Sequence, residues 1–457
     1  MSSTVTSELV DFLLRRERPP GEVRKKALIH LIDGFAVMLA GSRTECARKV
    51  FDLVRERGAG GPSSAIGFGA KAQPNGAALV NGTSGHADDY DDTQLSTSPD
   101  RIYGLMTHPT VPVLAATLAV GEEVGCSGGE FLDAFIAGFE VECKLAEAID
   151  PQHYRRGFHS TGTIGAFGAC AAASWLMGLG EEEARYAIGI TSSLTSGIRV
   201  NFGTMTKPLH AGMAASNGVT AARLGARGFT SDLNALDGRW GFMQILGGGM
   251  DPERVLGKLG SPYALVYPGA SVKMYPCGVL GQPSMDAMQE VVTEWDLRPE
   301  DVRQVRLRAG PNILEPLRYA SPANGLQAKF SLNFGLGCIL VHRKAGLREY
   351  TTEVVRSPRI QEAMAKVRTI HDEGIAAMGV DRMRSILEVE LNDGRVIERF
   401  VDKTRGTPEK PIRDSEIDDK FRDCVSLILG SVEVEALLHE IRGIDGQPSL
   451  EGITSFL

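Results

Sequence analysis

The chain has 457 residues, 43% of them hydrophobic, and a formal net charge of −8. That length exceeds what one ordinary core accommodates and implies two domains. The acidic balance, without a basic stripe, excludes a typical nucleic-acid binder, and no apolar run reaches the roughly 20 residues that a membrane span needs.

In chain order, helix follows helix through the first half. Residues 22–40 carry apolar positions at helical spacing and stop at Gly41. Their apolar run from Ile29 to Leu39 contains His30 and Asp33, so it reads as a core helix and not as a span. Residues 110–124 follow Pro109, and residues 130–149 follow the pair Gly128 and Gly129. Small, apolar helices are predicted over 162–178 and 181–196. A further helix over 208–227 opens with Pro208 and closes at Gly228, the expected asymmetry of helix ends. No strand precedes Gly162, Gly165 and Gly168, so their spacing predicts close helix packing and not a phosphate loop.

After about residue 266 the character changes. The segment VRQVRLRAG alternates as a strand does, and SILEVELNDGRVIERFV is a hairpin with its turn at Asn392-Asp393-Gly394. Helices are predicted between them over 323–344 and 358–367. The segment SEIDDKFRDCVSLIL then returns to an amphipathic helix, with Ser415 as its cap. The predicted fold class is mainly α. Residues 1–266 form the N-terminal part of a helical domain, 267–405 a smaller inserted α+β unit, and 406–457 the helical return. The seven cysteines include no C-x-x-C pair, and Cys170 and Cys338 lie in apolar helical runs. Reduced, buried thiols in a cytoplasmic protein are expected, because no tripartite secretory signal opens the sequence.

Five segments could carry chemistry. In NGTSGHADDYDDT, four carboxylates (Asp88, Asp89, Asp91 and Asp92) crowd beside His86. Such a cluster is either a solvated loop or a site whose charges have partners. Asp88-Asp89-x-x-Asp92 also matches the aspartate-rich box of Mg²⁺-dependent isoprenoid synthases. Its required second box has only the poorly spaced Asp418, Asp419 and Asp423 as candidates. His108 precedes Pro109, which places it at a loop-to-helix junction where an imidazole can face a cleft. His159 precedes a Ser/Thr/Gly run that opens a helix, an anion-attracting end. Lys207 precedes Pro208 at another helix mouth, and Lys273 lies in a turn bounded by Pro and Gly.

Taken in order, NGTSGHADDYDDT, HPTVPVLAA, GFHSTGTIGAFGA, GTMTKPLHAG, GFT and KMYPCG resemble the MmgE/PrpD family. Its members dehydrate 2-methylcitrate, decarboxylate cis-aconitate or epimerise iminodisuccinate. The resemblance implies a large helical domain built from both chain ends, with the α+β unit as a lid. It also implies a homodimer, no metal and no organic cofactor, and an active site between the domains. Carried over by position, Asp89, His108, His159, Lys207 and Lys273 are the catalytic candidates, with Thr93, Lys207 and Lys273 contacting substrate. The chain departs from the family pattern at Gly278, Gln282 and Phe334, which leaves the substrate open.

The chemistry expected is proton transfer next to a carboxylate of a small polycarboxylic acid. His108 with Asp89 is the expected base, His159 the partner acid, and the two lysines stabilise the developing charge. Thr93 is expected to hydrogen-bond the substrate or orient the aspartate. A lyase (dehydratase or decarboxylase) is the leading expectation, and an epimerase or isomerase of a substituted succinate such as iminodisuccinate the alternative.

Overall fold

The structure is a computed structural model that describes residues 4–58, 60–94 and 107–457. It is mainly α, with one small mixed sheet. The centre is a stack of apolar helices: Gly21–Ser42, Pro74–His86, Thr110–Val124, Gly128–Ala148, Gly165–Met177 and Thr206–Gly225. Their starts and stops follow from local chemistry. Ser127 and Glu130 cap each other's backbone at the start of Gly128–Ala148. Gly125 ends Thr110–Val124 in the left-handed conformation.

Small residues let these helices touch, as their composition predicts. A Cβ on Gly162 would lie 2.5 Å from the Ser196 carbonyl oxygen, and one on Gly168 would lie 2.8 Å from Glu142 Cβ. The crossing of Pro74–His86 over Thr206–Gly225 is also close, since a Cβ on Gly82 would lie 2.8 Å from Gly212 Cα. That crossing positions the site. His86 lies one turn beyond Gly82, and Lys207 lies just over one turn before Gly212.

The α+β unit carries a four-stranded sheet in the order Val367–His371, Val302–Ala309, Ser385–Leu391, Val396–Val401. The first pair is parallel and the other two are antiparallel, so the predicted strand and hairpin are both present. The parallel edge strand Val367–His371 was not expected. Of its residues only Val367 is buried, so it has no alternating pattern to read.

Two predicted helices are broken. The stretch over 323–344 divides into Gly325–Ala328 and Leu332–His342, because the Ser331 side chain accepts the Phe334 N–H and restarts the helix. The stretch over 162–178 divides into Ser160–Thr163 and Gly165–Met177. Ser415 is not a cap: the last long helices open with Asp414–Val425, capped from Arg413, whose N–H is accepted by the Glu416 carboxylate. This helix packs on Gly21–Ser42, so the C-terminal return reaches the N-terminal body. All seven cysteines are free and buried. No helix among the described residues is long and apolar enough to cross a membrane.

Candidate active site

The helix Pro74–His86 ends where the acidic loop begins, and all four aspartates of that loop are buried. The solvated-loop reading is therefore overturned, and each carboxylate has its own partner. Asp88 takes the Lys329 ammonium at 3.0 Å. Asp89 Oδ1 takes Lys207 at 2.8 Å and Lys273 at 2.9 Å. Asp91 lies 2.8 Å from His86 Nδ1. Asp92 accepts from the Thr110 N–H and hydroxyl, capping the helix that follows, and lies 3.0 Å from His30. The four charges point at four different partners, which is not the shared face that an Mg²⁺–diphosphate box needs. Of the second box, Asp418 pairs with Arg442 and Asp419 with Arg422.

Asp89 is held in an unusual conformation, with φ of 51°. A short antiparallel pairing, Thr93 to Ser271 and Gln94 to Ala270, ties this loop to the segment that carries Lys273. Lys273 also donates to the Asp89 carbonyl at 2.9 Å. Burial raises the Asp89 carboxyl, but the two ammonium groups outweigh it and hold it well below the usual carboxylate range. Burial lowers Lys207, and Asp89 offsets part of that shift.

Hydrogen bonds fix the histidine tautomers. Lys207 donates to His86 Nε2 at 2.7 Å, so His86 carries its proton on Nδ1 and gives it to Asp91. His108 Nδ1 lies 2.6 Å from the Asp92 carbonyl oxygen, which can only accept. In the neutral ring the basic lone pair of His108 is therefore on Nε2. His159 Nδ1 lies 3.0 Å from His210 Nδ1, so one of these rings donates to the other. Burial pushes His86, His108 and His159 well below 6.5. Lys207 adds to the shift of His86 and His159, while Asp91 partly opposes that of His108. Burial thus keeps these three imidazoles neutral around an ionised Asp89 at neutral pH.

Asp89, His108, His159, Lys207 and Lys273 line one narrow cavity of about 20 Å³. Its other wall is apolar: Phe202, Leu280, Leu317 and Phe330. Lys207 Nζ lies 5.1 Å and 5.4 Å from the Phe202 and Phe330 ring centroids. The donor atoms of His86, Asp89, Asp91 and His108 lie within 4.8 Å of one another, as do those of His86, His108 and His159. Either set is close enough to share a cation. An ion there would compete with the Lys207 ammonium for His86 Nε2 and with both ammonium groups for Asp89.

Comparison with known proteins gives this arrangement a family. The MmgE/PrpD N-terminal domain matches residues 10–255, and the MmgE/PrpD C-terminal domain matches residues 275–444. The chain belongs to the MmgE/PrpD family. Among curated relatives, the cis-aconitate decarboxylase of Homo sapiens is 27% identical over 396 residues, 84% of this chain and 79% of the relative. That of Mus musculus is 26% identical, over 95% of this chain and 88% of the relative. The cis-aconitate decarboxylase of Aspergillus terreus is 25% identical, over 97% and 92%. The chain is thus an enzyme of the MmgE/PrpD type.

Of the residues expected from the MmgE/PrpD resemblance, five meet in the cavity and one does not. Thr93 is buried, with its hydroxyl 3.4 Å from His108 Nδ1, and it is not part of the cavity wall. Its contact in the structure is with that imidazole. The expected pairing of His108 with Asp89 is also replaced. Asp89 is committed to the lysines, and the carboxylate nearest His108 belongs to Asp91, at 3.6 Å. His86, Asp91 and His210 had no assigned role in the sequence. His86 and Asp91 stand in the acidic segment and His210 three residues after Lys207, so the residues were visible but their partners were not.

The three departures from the family pattern separate in space. Gly278 lines the cavity, and a Cβ there would lie 2.6 Å from Leu317 Cδ2. Gln282 is buried; its carbonyl accepts the Met274 N–H and its amide donates to the Tyr275 carbonyl, bracing the loop after Lys273. Phe334 packs edge-on against Tyr350 in the core, away from the cavity wall.

Proposed function

We propose that this enzyme is a metal- and cofactor-independent lyase that acts on a small polycarboxylic acid by forming a carbanion next to a carboxylate. The observation that carries the reading is the cluster in which Lys207 and Lys273 meet Asp89 beside the neutral imidazoles of His108 and His159. The decarboxylase names of the relatives support the same class.

Each group has a task that follows from its state. The two ammonium groups bind a substrate carboxylate and stabilise the enolate-like charge as it develops. His108 Nε2, unprotonated at neutral pH, takes the α proton in a dehydration, and the leaving hydroxyl takes a proton from an ammonium group of the cavity and departs as water. In a decarboxylation the bond to CO₂ breaks, its electron pair stays on carbon, and that carbon takes a proton from an ammonium group of the cavity. The apolar wall excludes water from the carbanion.

Epimerisation of a substituted succinate is the second reading. It is favoured by the placement of His108 and His159 as separate rings, 6.3 Å apart between centroids, in one cavity. One imidazole would take the proton, and the other, starting protonated, would give its own to the opposite face.

The test is proton NMR in D₂O with EDTA, using citrate-like acids, cis-aconitate and substituted succinates, with Lys207→Ala as control. A new alkene, or CO₂ release, in wild type alone supports the lyase. Deuterium at an α carbon of an otherwise unchanged or inverted acid selects the epimerase. Activity that EDTA abolishes and a divalent ion restores would overturn metal independence.

The resemblance also carries a homodimer into this reading. Phe229, Trp240 and Ile245 are exposed apolar side chains beside one groove, which suits a second copy of the chain. Light scattering after size exclusion is expected to give twice the 49.1 kDa chain mass. A species of 49.1 kDa would refute the dimer.

A further inference from the structure

Lys420 lies on the helix Asp414–Val425, far in sequence from every residue placed in the cavity. Its side chain is 1% exposed, and its ammonium meets three oxygen atoms, two as hydrogen bonds and one as an ion pair. Two are backbone carbonyls, those of Tyr90 at 2.9 Å and Lys273 at 2.8 Å. The third is the Asp33 carboxylate, at 2.6 Å, itself 1% exposed on the helix Gly21–Ser42. The same ammonium lies 3.8 Å from the Tyr90 ring centroid, and the Tyr90 hydroxyl reaches the Met274 carbonyl at 3.3 Å.

The identity of the two carbonyls matters more than the ion pair. Tyr90 follows Asp89 directly, and Lys273 is one of the two ammonium groups on Asp89. A salt bridge that served only to join two helices would not need to reach either loop. We propose that Lys420 is a positioning residue: by gathering the Tyr90 and Lys273 carbonyls on one ammonium, it sets the separation of Asp89 and Lys273, with Asp33 holding that ammonium in register. It does not line the cavity and touches no reacting atom.

The catalytic consequence rests on the proposed function, whereas the tether itself does not, and the experiment separates them. The Lys420→Met/Asp33→Leu double variant of the full chain removes both charges together and leaves no buried ion alone. Hydrogen–deuterium exchange is followed over residues 87–94 and 270–277, with the strand Val302–Ala309 as internal reference. At least tenfold faster exchange in both loops, with the reference strand unchanged, is expected. Exchange within twofold of wild type in both loops would overturn the proposal.

If the double variant fails to fold, Lys420→Gln, which keeps an amide donor but loses the charge, is measured in the same way and decided by the same outcomes. On an acid that wild type consumes, kcat is expected to fall at least tenfold with KM changed less, and Lys420→Arg to recover part of it. Unchanged kcat in a folded variant with loosened loops would overturn the positioning role. Should wild type consume none of the acids, the proposed function fails and the exchange measurement still decides the tether.

Discussion

The charge state of the cavity is set residue by residue, and it makes the activity testable through pH. His108 works as a base only when neutral, and burial holds it neutral to well below 6.5. The acidic limb of kcat/KM should therefore lie below pH 6.5. Lys207, lowered from its ordinary value by burial, sets the alkaline side. An acidic limb at or above pH 6.5 would remove neutral His108 from the role of base. Stability follows the same sign. Burial lowers His153 and His210 from 6.5 to about 4. Between those values the unfolded chain binds protons that the folded one refuses, so stability falls as pH drops from 6.5 towards 4. Melting temperatures should decline across that window, and less steeply in His210→Asn. Sequence alone displayed the four aspartates and every histidine of the cavity. It could not display their pairing, because the partners of Asp88, Asp89 and Asp92 come from residues as distant as 329, 207, 273 and 30.

At the level of helices, the site depends on how closely two of them cross. A Cβ on Gly212 would lie 2.2 Å from Thr83 Oγ1 and 2.4 Å from the Leu79 carbonyl oxygen. The second of these is backbone and cannot turn aside. Gly212→Val is expected to force the helices apart and cost at least the roughly 1–3 kcal/mol of ordinary overpacking. It should also part Lys207 from His86 and cut activity by an order of magnitude or more. Urea denaturation with an activity assay measures both, and a stable variant with full activity would contradict this account of the crossing. The central helices were legible because apolar runs, Pro entries and Gly exits mark them. The break at Ser331 was less so: the run continues in apolarity, and only the side-chain cap on Phe334 reveals the restart. That break presents Lys329 to Asp88 and Phe330 to the cavity, so local irregularity serves the site.

Across the whole molecule, the cavity draws on the helical body for Asp89, His108, His159 and Lys207, and on later residues for Lys273, Leu280, Leu317 and Phe330. Parts contributed by separate units can be brought together by closure on substrate. Small-angle scattering should report a smaller radius of gyration with a tight-binding polycarboxylate than without it. An unchanged profile at saturating ligand would count against a moving lid. The α+β character of residues 302–401 was readable from strand alternation and the Asn-Asp-Gly turn, whereas the edge strand Val367–His371 lacked any such mark.

The meeting of the first long helix with Asp414–Val425 sets an order of events during synthesis. Asp33 leaves the ribosome long before its buried partner Lys420, which follows 387 residues later. Until then the face of Gly21–Ser42 that receives Phe421 and Lys420 has no cover, and the loops around Asp89 and Lys273 lack their common anchor. A chain that stops before Lys420 is therefore expected to lack that anchor and to leave Asp33 uncovered. Contacts between such distant parts of a chain also form slowly, so this docking is expected among the late events of folding.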